Sequence, residues 1–383
     1  MTTKPFVLKW GIVGAGRISG FFVRDLILDP TKSGRDGDVV HAVTAVGSRS
    51  SQKAEEFIKD NCPQGGFAQQ SGLLPVAPAA FGSYADVYNH PDVDIIYVGT
   101  THPSHYEDCK NALEAGKHVL LEKPATLNKA EFKVLSELAQ SKKLFLMEAV
   151  WTRFFPLTFA LEKALFEDQA IGEIRRLVSD FSISFIDVVD DTHRMLNPSL
   201  GGGGLLDLGP YPLVWAMLVL YRHPKNNLNP PTNLVAAMTK FGETGIDLHT
   251  SWSMDFPNLG PGARANLSVS IGVNSPKDVV TRIQGTHGEI LLPWATARPD
   301  KFIIRRSQPG RGAQDYTEEV HEFPIIGQGL HWEADAVARC IRDGKTESER
   351  MPHADTLLTM SIFDEIRRQG GYVYPEGLEK VTL

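Results

Sequence analysis

The chain has 383 residues, 42% hydrophobic and 22% charged, with a formal net charge of -7. That length exceeds what one hydrophobic core usually spans, which predicts two domains, and an acidic balance without a polybasic run excludes nucleic acid or an anionic membrane as the main partner. Three widely spaced cysteines, Cys62, Cys109 and Cys340, suit reduced thiols rather than a disulfide framework or a metal site. With no signal-peptide core in the first ten residues and no run approaching ~18 apolar residues, a cytoplasmic protein is expected.

Residues 7–13 form a short apolar run that leads into Gly14-Ala15-Gly16-Arg17-Ile18-Ser19, after which 21–28 carry an apolar helical pattern. Strand, glycine turn and helix in that order suit a dinucleotide pyrophosphate, because glycines let the backbone close on the phosphates and the helix N-terminus offers free N–H groups. The third motif position holds Ser19 rather than Gly or Ala. Residues 39–46 read as a second strand ending at Gly47-Ser48-Arg49-Ser50, where an NAD enzyme usually places a carboxylate for the ribose 2′-hydroxyl. Here Ser48 can donate to a 2′-phosphate, Arg49 can neutralise it, and Lys53 adds charge one turn later, which predicts NADP over NAD. The alternative for Arg49 is a solvated surface arginine. Two polar stretches, 29–38 and 62–80, read as inserted surface loops.

Residues 93–100 read as the next buried strand, followed by Thr101-His102-Pro103-Ser104-His105 and a helix that Gly116 can end. Residues 117–121 form another strand, which ends at Glu122-Lys123-Pro124; Asn128 to Glu131 resembles a capping box, and 144–149 supply a further strand. Ligands sit outside the carboxyl ends of parallel strands, so Thr100, His102, His105, Glu122 and Lys123 are expected on the side of the glycine turn. Trp151 and Arg153 come next, where an indole can stack on nicotinamide or a pyranose and a guanidinium can serve the cofactor or a domain interface. Together these elements predict an α/β Rossmann-type, doubly wound parallel sheet over residues 1–150.

Residues 151–383 predict an α+β domain with a large, open, mostly antiparallel sheet. Its expected strands are 174–189, 233–241, 246–256, 263–273, 279–285 and 289–292, with a helix over 205–221 packed on one face. Helices over 329–342 and 356–368 close the chain and can pack back on the first domain. The second sheet face is the kind of surface a homodimer buries. Within this part a flexible glycine tract, Gly201 to Gly204, ends in Asp207 and Tyr211, four residues apart and so on one helix face. Packing and proton transfer both suit that pair. His193, Arg194, Met195 and Asn197 precede the tract and form a candidate opposite wall, with His193 and Asn197 as candidate substrate contacts.

In order along nearly the whole chain, Gly14 to Ile18, Ser48-Arg49, Thr100 to His105, Glu122-Lys123-Pro124, Met147 to Pro156 and Gly201 to Tyr211 resemble the glucose-fructose oxidoreductase (Gfo/Idh/MocA) family. Within it they are most similar to the branch of dimeric dihydrodiol dehydrogenases and fungal NADP-dependent D-xylose 1-dehydrogenases. The resemblance implies that Lys123 is the lysine of the Glu-Lys-Pro motif and Tyr211 the catalytic tyrosine of that branch. Asp207 maps onto an aspartate of the inositol dehydrogenase branch, which carries histidine where this chain has Tyr211. The activity so implied is oxidation of C1 of an aldopyranose, D-xylose first, to the lactone with NADP as hydride acceptor. Oxidation of a cyclic trans-dihydrodiol to a catechol is the second reading. A non-catalytic, NADP-binding regulator is the third, and it has no need of Lys123, Asp207 and Tyr211 together.

The chemistry stands on its own terms as well. Oxidising an alcohol or hemiacetal removes an O–H proton while hydride leaves for the nicotinamide, and a phenol is a competent base only if its pKa falls from about 10. Lys123 is expected to lower it and to hold a substrate hydroxyl, with Asp207 orienting Lys123 or a second hydroxyl. Lys123, Trp151, His193, Asn197, Asp207 and Tyr211 are thus the expected substrate contacts, and no metal is called for.

Overall fold

The computed structural model describes residues 4–242, 244–307 and 316–382. Its first sheet contains β1 (Phe6–Val13), β2 (Val39–Gly47), β3 (Ala79–Phe81), β4 (Ile95–Val98), β5 (His118–Glu122) and β6 (Leu146–Ala149). They are parallel, in the order β3-β2-β1-β4-β5-β6. The helices between them are α1 (Arg17–Leu26), α2 (Ser51–Asn61), α3 (Phe67–Gln70), α4 (Tyr84–Tyr88), α5 (His105–Glu114) and α6 (Lys129–Lys142). Helices on both faces bury β2 at every position, as the continuous apolar run requires. The strand order reverses between β1 and β4, which opens a crevice at their carboxyl ends.

Local signals end these elements where the chemistry of the residues says they should. Gly116, at φ +78°, terminates α5, and the Asn128 side chain accepts from Glu131 N at 2.9 Å to cap α6. The capping box is only half formed. Glu131 turns its carboxylate to Leu127 N (3.0 Å) and Lys380 N (2.6 Å), and so fastens the C-terminal tail. The two polar insertions are more ordered than surface loops. Residues 62–80 contain α3 and lead into β3, elements too short to show a period. In 29–38, Arg35 donates to the buried Asp335 at 2.8 Å and Asp38 accepts from Arg339 (2.7 Å) and Arg342 (2.8 Å).

The second part runs through α7 (Pro156–Glu162), β7 (Ile174–Ser182), α8 (Gly204–Leu208), α9 (Pro210–Ala216), β8 (Thr232–Lys240), β9 (Asp247–Asp255), β10 (Arg264–Ser270), β11 (Thr281–Gly285) and β12 (Gly288–Leu292). It continues with β13 (Lys301–Ser307), β14 (Tyr316–Glu322), α10 (Leu330–Arg342) and α11 (His353–Gly370). The sheet order is β14-β13-β12-β11-β7-β10-β9-β8, antiparallel except where β10 lies parallel to β7. β7 ends at Ser182 rather than 189. β13 and β14 extend the sheet beyond the expected strands, and β14, exposed at almost every position, carries the charges of an edge strand instead of an apolar pattern.

Gly209 has helical dihedrals (φ -55°, ψ -33°), so α8 and α9 form one continuous helical path that carries on to Tyr221. By length and composition the run Pro198–Tyr221 could cross a membrane, but 94% of its apolar window is buried in the fold. It is the core helix of the second part, packed on β7, β9 and β10.

Both C-terminal helices pack back on the first sheet's layer. Asp25 on α1 accepts from Gln328 N (2.8 Å) and Leu330 N (2.9 Å) at the start of α10, and Asp364 on α11 accepts from Lys129 N (3.0 Å). Arg153 belongs to this framework and not to the cofactor. Its guanidinium, 1% exposed, donates to Asp355 on α11 at 2.6 Å and to Arg350 O at 3.0 Å. Asp355→Ala would leave this cation buried without its counter-charge, so it should cost about 3–5 kcal/mol, read as an earlier midpoint in urea unfolding.

Candidate active site

The crevice at the carboxyl ends of β1, β2, β4, β5 and β6 is built around glycine turns. A Cβ at Gly14 (φ +92°) would come within 2.8 Å of Gly99 O and 3.0 Å of Thr100 Cγ2, so only glycine fits at the turn between β1 and α1. Gly16 is the N-cap of α1, exposed, with no side chain capping the helix, and the space around its Cα is open. The first N–H groups of α1 are therefore free for an anion. Ser19, in the third motif position, fits because it packs against Gly99, where a Cβ would overlap its Oγ. Arg17 is exposed over the Phe21 ring, and Ile18 is half-buried beside it. These features suit a dinucleotide pyrophosphate.

At the end of β2, Ser48 is buried with its N–H on Phe81 O at 3.1 Å, while Arg49 and Lys53 are exposed. Ser50 caps α2, accepting from Lys53 N at 3.3 Å. Two cations without an ion-pair partner among the described residues, beside a helix N-terminus and with no carboxylate in the ribose position, suit a 2′-phosphate.

The reacting end is organised by Asp207. Lys123, at the end of β5 before a cis Pro124, donates from Nζ to Asp207 O (2.8 Å) and Oδ1 (3.1 Å). Arg194 meets the same carboxylate with Nη1 on Oδ1 (3.1 Å) and Nη2 on Oδ2 (3.2 Å), and His102 Nε2 lies 3.6 Å from Oδ1. Burial works against the carboxylate's charge, but Lys123, Arg194 and His102 outweigh it and hold Asp207 well below the usual range. Lys123 is pulled down by burial and raised by more through Asp207, Tyr211 and Glu122, so it stays an ammonium.

Tyr211 stands one turn after Asp207, half-buried, its ring edge-on to Phe181 (5.2 Å) and under the Lys123 ammonium (4.9 Å to the ring centroid). Its hydroxyl makes no hydrogen bond to the protein among the described residues. The expected fall in its pKa is not what the protein alone produces. Burial pushes the phenol up, Lys123 offsets only part of that, Glu122 and Asp207 add to it, and the group ends at about 12. The reason is geometric: Nζ is bonded to Asp207 and faces the ring of Tyr211.

The glycine tract is packed, not flexible. A Cβ at Gly202 would lie within 2.8 Å of Arg194 O and Met195 O, and at Gly203 (φ +113°) it would overlap Asp247. Asp247, pushed up to about 7 by burial, accepts from Leu205 N at 2.6 Å and so starts α8. The tract thus holds Asp207 and Tyr211 rigidly toward Lys123.

Several expected contacts have other roles. His105 is buried with Nδ1 2.8 Å from Pro124 O and Nε2 3.2 Å from Thr100 O, and burial pulls it down to about 3, so as a neutral ring it donates to one of these two carbonyls and packs against the other. Thr100 donates to Asp108 at 2.8 Å. Glu122 accepts from Tyr97 OH (2.6 Å) and Lys123 N (3.1 Å) behind the crevice. His193 stacks on Phe185 (6.0 Å) and Asn197 accepts from Ser199 N (2.9 Å), so both shape the loop before the tract. Trp151 is half-buried, edge-on to Phe155 at 5.6 Å. Arg194 is the site residue that spacing alone did not single out, since its partner lies thirteen positions away across a loop. No cluster of metal-ligating side chains occurs among the described residues.

A parallel sheet with a glycine turn, joined to an open sheet whose helix brings an acid and a phenol to a strand-end lysine, defines a dinucleotide-dependent oxidoreductase. The chain belongs to the Gfo/Idh/MocA oxidoreductases: it matches the oxidoreductase family with NAD-binding Rossmann fold over residues 8–150 and the GFO/IDH/MocA C-terminal domain over 159–291. It is 39% identical to a D-xylose 1-dehydrogenase (NADP(+)) of Hypocrea jecorina, across 97% of this chain and 94% of that one. It is 32% identical to a trans-1,2-dihydrobenzene-1,2-diol dehydrogenase of Danio rerio, across 96% and 98%. Among solved structures, the 3-ketoreductase KijD10 of Actinomadura kijaniata with NADP and TDP-benzene shares the fold at a TM-score of 0.75 and 22% identity, over 95% of this chain and 98% of that one.

Proposed function

We propose that this enzyme oxidises C1 of an aldopyranose, D-xylose foremost, to the lactone, with Tyr211 accepting the C1-hydroxyl proton. The cofactor is NADP, which supplies the hydride acceptor at its nicotinamide. The observation that carries the reading is the convergence of Lys123, Asp207 and Tyr211 at the strand ends that hold the glycine turn. The 39% identity to a D-xylose 1-dehydrogenase over nearly the whole of both chains supports the sugar.

In this reading Lys123 holds the reacting hydroxyl and offsets negative charge as the proton leaves, while Asp207 fixes Lys123 in place. Tyr211 must give up its own proton before it can take another, so oxidation accelerates as pH rises through the alkaline range. Phe181 lies beside Tyr211 and Trp294 beside Phe181 (5.2 Å each), an aromatic wall that suits a planar ring and favours the trans-dihydrodiol as the second substrate class.

A panel of pentoses, hexoses and trans-dihydrodiols compared by kcat/KM, followed at the NADPH absorbance, should rank D-xylose first; a higher value for a dihydrodiol reverses the order of the two readings, and no turnover with any of them removes both. Tyr211→Phe should lower kcat by roughly a hundredfold or more with NADP affinity kept, and near-normal turnover would end its role as proton acceptor. Arg49→Ala should weaken NADP binding by about 1.5–3 kcal/mol and leave NAD nearly unchanged, as read by titrating each cofactor; equal losses would free Arg49 of any part in reading the 2′-phosphate.

A further inference from the structure

Lys123 and Asp207 alone would be a poor device for acting on a phenol. A hydrogen-bonded ammonium and carboxylate sum to zero charge, and the field of such a pair fades quickly with distance. Arg194 changes that sum. It adds a second cation to the same carboxylate, at 3.1 and 3.2 Å, from a loop that no strand or helix of the site supplies.

We propose that Arg194 is a positioning residue for proton transfer: its guanidinium cancels the charge of Asp207, so that the ammonium of Lys123 acts on the Tyr211 phenol. The inference rests on Tyr211 as proton acceptor and adds the group that sets how readily it works.

Three features fix Arg194 in this role. Its main chain is gripped, because Gly202 lacks the Cβ that would strike Arg194 O, and the next two side chains, Met195 and Leu196, are 1% exposed in the core. Its side chain is 47% exposed, so it reaches Asp207 from the solvent side while Lys123 reaches it from within. Asp207 Oδ1 is shared by both cations, which makes one positively charged triad.

The other titratable groups around Tyr211 do not supply this balance. Glu122 on β5, Glu333 on α10, Tyr97 on β4 and His102 beside Asp207 are all displaced toward their neutral forms, in each case chiefly by burial. Glu333 has both carboxylate oxygens buried without a partner among the described residues, the setting of an acid that keeps its proton. Glu122, whose two oxygens accept from Tyr97 OH and Lys123 N, only adds to what raises the phenol, so Arg194 is the group that offsets Asp207. Without Arg194, the carboxylate would neutralise Lys123 and raise the phenol further.

The test is the pH dependence of kcat/KM for oxidation of the best substrate in the panel, at saturating NADP. It compares wild type, Tyr211→Phe, Arg194→Gln, Arg194→Lys, Asp207→Asn and the double variant Arg194→Gln with Asp207→Asn. The alkaline rise should move upward by about one pH unit in Arg194→Gln, the small end of what a neighbouring charge does, and stay near wild type in Arg194→Lys. In the Asp207→Asn background, Arg194→Gln should add little shift, because the half-exposed guanidinium has lost the carboxylate that holds it at the site. A rise that stays in place in Arg194→Gln, or that moves equally in both backgrounds, overturns the inference, whatever happens to the absolute rate. A rise that persists in Tyr211→Phe overturns the proton-acceptor reading and this inference with it; a rise lost in Tyr211→Phe but unmoved in Arg194→Gln overturns this inference alone.

Discussion

The ammonium of Lys123 is the point on which both halves of the molecule depend. Its strand belongs to the parallel sheet that forms the dinucleotide crevice, and its hydrogen bonds end on Asp207 of the helix that crosses the second sheet. A cation so nearly buried persists only when it is paired, and the pair fixes the distance between the two units at the place where hydride and proton must part. The neighbouring glycines serve the same contact. Gly202 and Gly203 let the loop and Asp247 close on the start of the helix, and so aim its first turn at β5.

The electrostatics follow from burial more than from any one contact. Tyr211, Glu122, Tyr97 and Glu333 are all raised, and His102 and His105 lowered, because low-dielectric surroundings disfavour charge on each. Against that background a few surviving charges carry the site. The free protein holds Tyr211 as a phenol rather than a phenolate.

Much of this was legible in the residues. The glycine turn, the strand ends and the one-turn spacing of Asp207 and Tyr211 are local patterns, and each element that bears them formed where periodicity placed it. The site was half legible for the same reason. Lys123, Asp207 and Tyr211 carry signals within their own segments, but Arg194 acquires its role only when a loop folds against a glycine with no Cβ. Of the two roles open to Arg153 the packing one is seen, its side chain turning inward to Asp355, and His105 likewise turns from the crevice to backbone carbonyls. β14 lacks an apolar signal because it is an edge strand that replaces alternation with charges, Glu318 paired to Arg305 and Glu319 to Arg306, and those same arginines cut short the apolar run of β13 beside it.

The clasp of the last helices on the first sheet bears on how the chain is made. The α1 carboxylate of Asp25 finds its partners at residues 328 and 330, Arg35 waits for Asp335, and Asn128 is bonded to Glu379 and Val381. A ribosome releases the dinucleotide-binding strands first and these closing pieces last. The nascent nucleotide unit therefore leaves the exit tunnel with one flank still open, and it reaches its finished form only after residues 328–381 have followed it.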